Sequence, residues 1–180
     1  MINNLIVWGI GLIVIWFVIK PILEKIGREK MNYVKNKLQS DEKIIKEFDT
    51  VYSPKLITDK LYTVRYVGTK YKVLILVTDK RIIFRPYSMF MAWGRNLLVN
   101  PISQGFEISY KDQVPKKYMS PNNLKGYFDI NNTYPEFSYG NITNESNNFI
   151  LSADNSNLGK LEVKLFDEII VNEIKTIMNK

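Results

Sequence analysis

YKVLILVTDKRIIFRPY, residues 71–87, sets two runs of β-branched and aromatic residues on either side of Thr78-Asp79-Lys80. Val, Ile, Phe and Tyr suit a pleated, half-buried surface, and Asp suits a tight turn because its carboxylate can bond nearby turn amides. The stretch predicts a β-hairpin, with Lys80 and Arg81 solvating its tip. Upstream, EKIIKEF (42–48) reads as a first strand, and KLYTVRYVG (60–68) as a second. In the latter Leu61, Thr63, Arg65 and Val67 share one face, while Tyr62, Val64 and Tyr66 share the other and point to the core. Downstream, GFEISYKD (105–112), GYFDI (126–130), NFILSA (148–153) and GKLEVKLF (159–166) read as further strands between Asn-, Pro- and Gly-rich turns.

The period then changes. Phe166, Ile170, Ile174 and Ile177 recur every three or four residues, and Asp167 and Glu168 stand where acidic groups favour a helix N-terminus. Many short strands followed by one amphipathic helix predict a mainly β member of the α+β class. The expected form is a curved antiparallel sheet or split barrel, its open end closed by the C-terminal helix.

The N-terminus has a different character. Leu5 to Ile19 carries no charge, and from Ile2 through Leu23 only Lys20 interrupts an apolar or neutral run. At about 1.5 Å per residue the longer run spans roughly 33 Å, enough for a hydrocarbon core, with Lys20 snorkelling to an interface. No basic residue precedes the run, and Lys20-Pro21 stands where a signal-peptide cleavage site would need small residues. A span over 1–23 is therefore expected. Lys20, Lys25, Arg28, Lys30, Lys35 and Lys37 all follow the uncharged run that ends at Ile19, which by the positive-inside rule predicts a single-pass inner-membrane protein with its N-terminus outside and its soluble part cytoplasmic.

Residues 24–39 read as an amphipathic, basic juxtamembrane helix with Ile22, Ile26, Tyr33, Val34 and Leu38 at roughly helical spacing. Two compatible readings stand. The six cations from Lys20 to Lys37 face anionic lipid, or the helix's apolar stripe packs on the domain of residues 40–180 while the lysines are a solvated face.

The hairpin with its flanks, GTKYKVLILVTDKRIIFRPY, resembles the signature hairpin of bacterial pleckstrin-homology-like (PH-like) domains: an apolar strand ending in Val77-Thr78-Asp79-Lys80-Arg81, then a second apolar strand. SDEKIIKEF resembles the opening strand of those domains, and FEISYKD a later one. One span ahead of such a domain is similar to the layout of the sublancin immunity proteins, small bacterial membrane proteins that protect a producer from its own bacteriocin. The resemblance implies a scaffold that binds lipid, peptide or protein. It also leaves open a structural or regulatory subunit that recruits a membrane protein complex.

The chain has 180 residues, no Cys, no His and a formal charge of +7. Disulfides, thiolate metal sites and imidazole acid–base chemistry are thereby excluded. The carboxylates Glu107, Asp112, Asp129 and Glu136 have no spacing that unites them, and no phosphate loop or dinucleotide fingerprint is present. No catalytic residue, metal or cofactor is assigned, and the protein is expected not to be an enzyme. The sequons at Asn131, Asn141 and Asn144 follow from the abundance of Asn.

Basic residues crowd 55–95, where Lys55, Lys60, Arg65, Lys70, Lys72, Lys80, Arg81, Arg85 and Arg95 oppose only Asp59 and Asp79. Arg65, Lys70, Lys72, Arg81, Arg85, Trp93 and Arg95 are the candidate ligand or partner surface, for anionic headgroups or for a peptide. The apolar segment SMFMAWGRNLLV (88–99) reads either as an interfacial or peptide-gripping element or as core. Interleaved Tyr62, Tyr66, Tyr71, Phe84 and Tyr87 at strand spacing read as core ahead of a base-stacking platform, so nucleic acid is not an expected partner. The expected partners are the lipid bilayer and an antimicrobial peptide or membrane protein.

Overall fold

The computed structural model describes residues 11, 13–14, 17–18, 20–36, 38–57, 70–87, 102, 105–110, 134–145 and 148–178. Its centre is the expected hairpin: β2 (Tyr71–Thr78) and β3 (Arg81–Pro86) pair antiparallel around a two-residue Asp79-Lys80 tip. Five further strands join them, β1 (Ile44–Ile57), β4 (Phe106–Ser109), β5 (Glu136–Glu145), β6 (Asn148–Asn155) and β7 (Gly159–Leu165). Helix α1 (Lys20–Asn36) precedes them and α2 (Glu168–Met178) follows. The expected strands over 60–68 and 126–130, the segment 88–99 and most of the expected span lie outside the described residues. Among the described residues no helix is long and apolar enough to cross a membrane.

The seven strands form one closed barrel in chain order. β1 makes the closure. Its first half pairs with β2, its second half pairs with β7, and Tyr52 is opposite both Tyr71 and Leu165. Pro54 follows the last β1–β2 pair, so its missing N–H costs that ladder nothing. Of the expected curved antiparallel sheet or split barrel, the described residues show a mainly β, closed ring in which one pair is not antiparallel. An odd number of strands in alternating order cannot close without one parallel pair, and β4 with β5 supplies it (Glu107 opposite Glu136).

β5 is unexpected. Residues 136–145 fall in no expected strand, yet EFSYGNITNE is a ten-residue strand. Gly, Asn and outward-facing polar residues hide the pattern, and a register shift between Tyr139 and Asn141 breaks its alternation. Phe137 still points inward and is fully buried.

Inward residues of all seven strands fill the barrel, and stacked Phe84 and Phe106 (centroids 4.6 Å apart) lie at its middle with Tyr52 and Phe137 around them. α2 closes one mouth by burying Ile170, Val171 and Ile174 in this core, and the Asp167 carboxylate caps it by accepting the Ile169 N–H at 2.9 Å. The helix predicted from Phe166, Ile170, Ile174 and Ile177 is therefore present.

A second, smaller core lies outside the barrel. Leu74, Leu76 and Ile83 point away from the interior yet are nearly fully buried, because α1 lies across them and drives Met31 between them and Tyr87. Val34 and Leu38 complete the contact. Both faces of β2 are thus covered, which is why VLILV does not alternate. Ile22, in the first turn of the same helix, remains exposed.

Candidate functional site

The surface with most chemistry is the seam where α1 lies on β1, β2 and β3. It is built by two periodicities. β1 presents Glu47 and Asp49, two residues apart, on its outer face, and α1 presents Arg28 and Lys35, seven residues apart, toward them. Lys35 pairs with Glu47, and an Arg28 Nη donates to Asp49 at 3.0 Å. Tyr87, just past β3, donates its hydroxyl to the same Asp49. The Arg28 guanidinium stands 5.2 Å from the centre of the Tyr87 ring, and the Lys72 ammonium 6.0 Å from it.

Of the two readings of the juxtamembrane helix, the packing of its apolar stripe is seen. Its apolar stripe packs on the domain through Met31, Val34 and Leu38, while Lys25 is exposed and bonded only loosely to Glu29 (3.9 Å). Lys37 and the side chains of Lys20 and Lys30 lie outside the described residues.

The link from α1 to β1 is bolted to the hairpin tip. Lys80 donates to Gln39 at 2.9 Å and to Asp41 at 2.6 Å, and the Lys43 N–H donates to the Asp79 carboxylate at 2.9 Å. The tip expectations are corrected accordingly. The Thr78 hydroxyl oxygen, not Asp79, accepts the turn amides of Lys80 (3.2 Å) and Arg81 (3.0 Å), and it donates to Glu42 at 2.8 Å. Lys80 and Arg81 are engaged rather than solvating the tip.

Arg81 is the hub of a half-sunken charge network. Its Nε and one Nη each donate to Glu42 at 2.9 Å, a bidentate fork, and its other Nη reaches Glu107. Glu107 also takes Arg85, at 2.7 Å. Burial pushes the Glu42 carboxyl up, but hydrogen bonds from Arg81 and Thr78 outweigh it and hold the group below the usual carboxylate range. Arg81 answers in kind: burial lowers it, and its bonds to Glu42 with the charge of Glu107 raise it further. Tyr110 is pushed up by burial and then by the charges of Asp79 and Glu42.

Of the candidate partner surface, Arg65, Trp93 and Arg95 lie outside the described residues. Arg85 is corrected: it is 1 % exposed, bonded to the Phe84 carbonyl at 3.0 Å and stacked 3.5 Å from the Tyr134 ring, so it cannot meet a partner as expected. Arg81 is likewise committed to two carboxylates. Lys70 and Lys72 remain exposed, Lys70 standing 4.3 Å from the centre of Phe166. Ser109 donates to Glu136 at 2.5 Å, so Glu107 and Glu136 both serve as acceptors within the sheet. Among the described residues no three His, Cys, Asp or Glu side chains converge as metal ligands.

Sequence reasoning missed Asp49, Glu47, Glu42 and Met31. The signal available for the first two was the acidic pair at spacing two on β1, set against basic residues on a neighbouring amphipathic helix. With this geometry described, the chain was compared with known proteins. No family model, curated protein or solved structure matches it.

Proposed function

We propose that the chain is a bacterial inner-membrane protein in which a single N-terminal span holds a PH-like, non-enzymatic binding domain at the cytoplasmic surface, where it gives immunity to a membrane-active bacteriocin. The observation that carries the anchored part is the continuity of apolar sequence into a docked helix. Ile13, Val14, Phe17 and Val18 ahead of α1 and Ile22 in its first turn expose their side chains, 44–73 %, while later turns of α1 pack on the barrel. Apolar side chains exposed at this density are costly in water and suit lipid. The PH-like part is supported by strands in chain order, a long first strand shared between the two ends of the ring, and a C-terminal helix over one mouth.

Expression in a bacteriocin-sensitive strain tests the immunity role: potency of at least one membrane-active peptide should fall, and unchanged killing across a broad panel would sink it. A second reading, a subunit recruiting a membrane protein complex, draws on Ile44 and Ile45 at the start of β1 and Ile169 on α2, which are exposed. One stoichiometric partner retained by the detergent-extracted protein would favour it.

A further inference from the structure

Pro21 stands in the first turn of α1, and the residue four before it is Phe17. A continuous α-helix would bond the N–H at 21 to the carbonyl at 17, but proline has no N–H and its ring crowds that carbonyl. The backbone at Phe17 and Val18 is correspondingly wound as a π turn, wider than the α-helix that begins at Lys20. Phe17, Val18 and Ile22 are 73 %, 51 % and 52 % exposed, so little packing braces this turn.

Farther along, the chain is held at several points. Arg28 pairs with Asp49, Lys35 pairs with Glu47, and Met31 is buried against Leu74, Leu76 and Ile83. The link to β1 is bonded to the hairpin tip through Lys80 and Asp79. Helices bend where a proline or a π turn interrupts the ladder, so bending concentrates at Phe17, Val18 and Pro21 rather than in the clamped turns. From Pro21 to Asn36 the helix rises about 22 Å, so a change of about 20° at Pro21 moves its far end, and the barrel with it, about 8 Å.

We propose that Phe17, Val18 and Pro21 form a hinge on which α1 and the barrel swing over the membrane as one lever; this rests on the anchored reading above. The bilayer holds the apolar run before the hinge, and the barrel holds α1 after it. The binding domain thereby meets partners at the bilayer surface over a range of tilts while the seam between α1 and the barrel stays closed.

The test uses the full-length protein in phosphatidylcholine nanodiscs. The chain has no Cys, so introduced cysteines carry spin labels at defined positions only. Pulsed electron resonance reads two distances: Val14→Cys with Asp154→Cys, across the hinge, and Asn32→Cys with Asp154→Cys, within the lever. All three positions are exposed. The first distance distribution should be wider than the second by an amount on the order of the 8 Å swing. Pro21→Ala and Pro21→Leu, which each restore the N–H, should narrow the first distribution toward the second and leave the second unchanged. Equal widths in the parent, a first width that neither substitution narrows, or equal narrowing of both pairs would each overturn the hinge. A protein that does not enter the discs at all overturns the anchored reading and the hinge with it, a result distinct from the others.

Discussion

Replacing Met31 by Ala asks what holds α1 to the barrel. Met31 is 1 % exposed among Leu74, Leu76, Ile83 and Tyr87, so truncation removes three heavy atoms from a closed apolar contact. Buried Met→Ala changes cost about 2–5 kcal/mol, and a surface helix can settle into part of the gap, which favours a value near 2.5 kcal/mol. The two ion pairs on the same seam are half-exposed and worth under about 1 kcal/mol each. Apolar packing therefore dominates the docking. Amide hydrogen exchange of the full chain reads this directly: at 1.4 kcal/mol per tenfold, α1 amides should exchange roughly 60-fold faster in Met31→Ala, while Arg28→Gln accelerates them less than about fivefold. The inward ladder of β5–β6, remote from the seam, should change far less. Acceleration of α1 by less than about threefold, or an equal acceleration of β5–β6, would refute the view that a separate outer core docks this helix.

Three further outcomes are expected. Glu42→Gln should destabilise on the order of 3 kcal/mol by breaking the fork to Arg81, measured by urea unfolding. Because the folded Glu42 carboxyl titrates below its usual range, its contribution is present above the unfolded value and lost as pH falls through the folded one, so the variant should flatten the acid limb of stability against pH. Gly105→Ala should cost more than about 3 kcal/mol, since Gly105 has φ of +128° and an added Cβ would sit 2.4 Å from the Phe84 carbonyl oxygen; a thermal midpoint near that of the parent would contradict it. Asp167→Ala should cost about 1 kcal/mol through loss of the α2 cap, with a larger effect on exchange at the helix start than elsewhere.

Local patterns were legible wherever residue type and spacing agreed. The β2–β3 hairpin follows from two β-branched runs around a short polar turn, β6 and β7 from apolar runs between Asn- and Gly-rich turns, and α2 from a clear period with an acidic start. The basic α1 was equally visible, since Lys20 to Leu38 carries a helical stripe and its charges. Local rules act over a few residues, and these elements obey them.

Long-range pairing was decided elsewhere. That β1 serves two partners, that β4 meets β5 in parallel, and that β5 exists at all depend on which strands lie side by side, and a weakly patterned strand such as EFSYGNITNE gains its stability from neighbours rather than from its own propensity. The same holds for charge. Sequence alone counts Arg81 and Arg85 among surface cations, but Glu42 and Glu107, 39 and 22 residues away, turn them inward, leaving Lys70 and Lys72 exposed. Composition determines how many cations the protein carries; only the tertiary structure, by spending carboxylates on some of them, decides which ones face a partner.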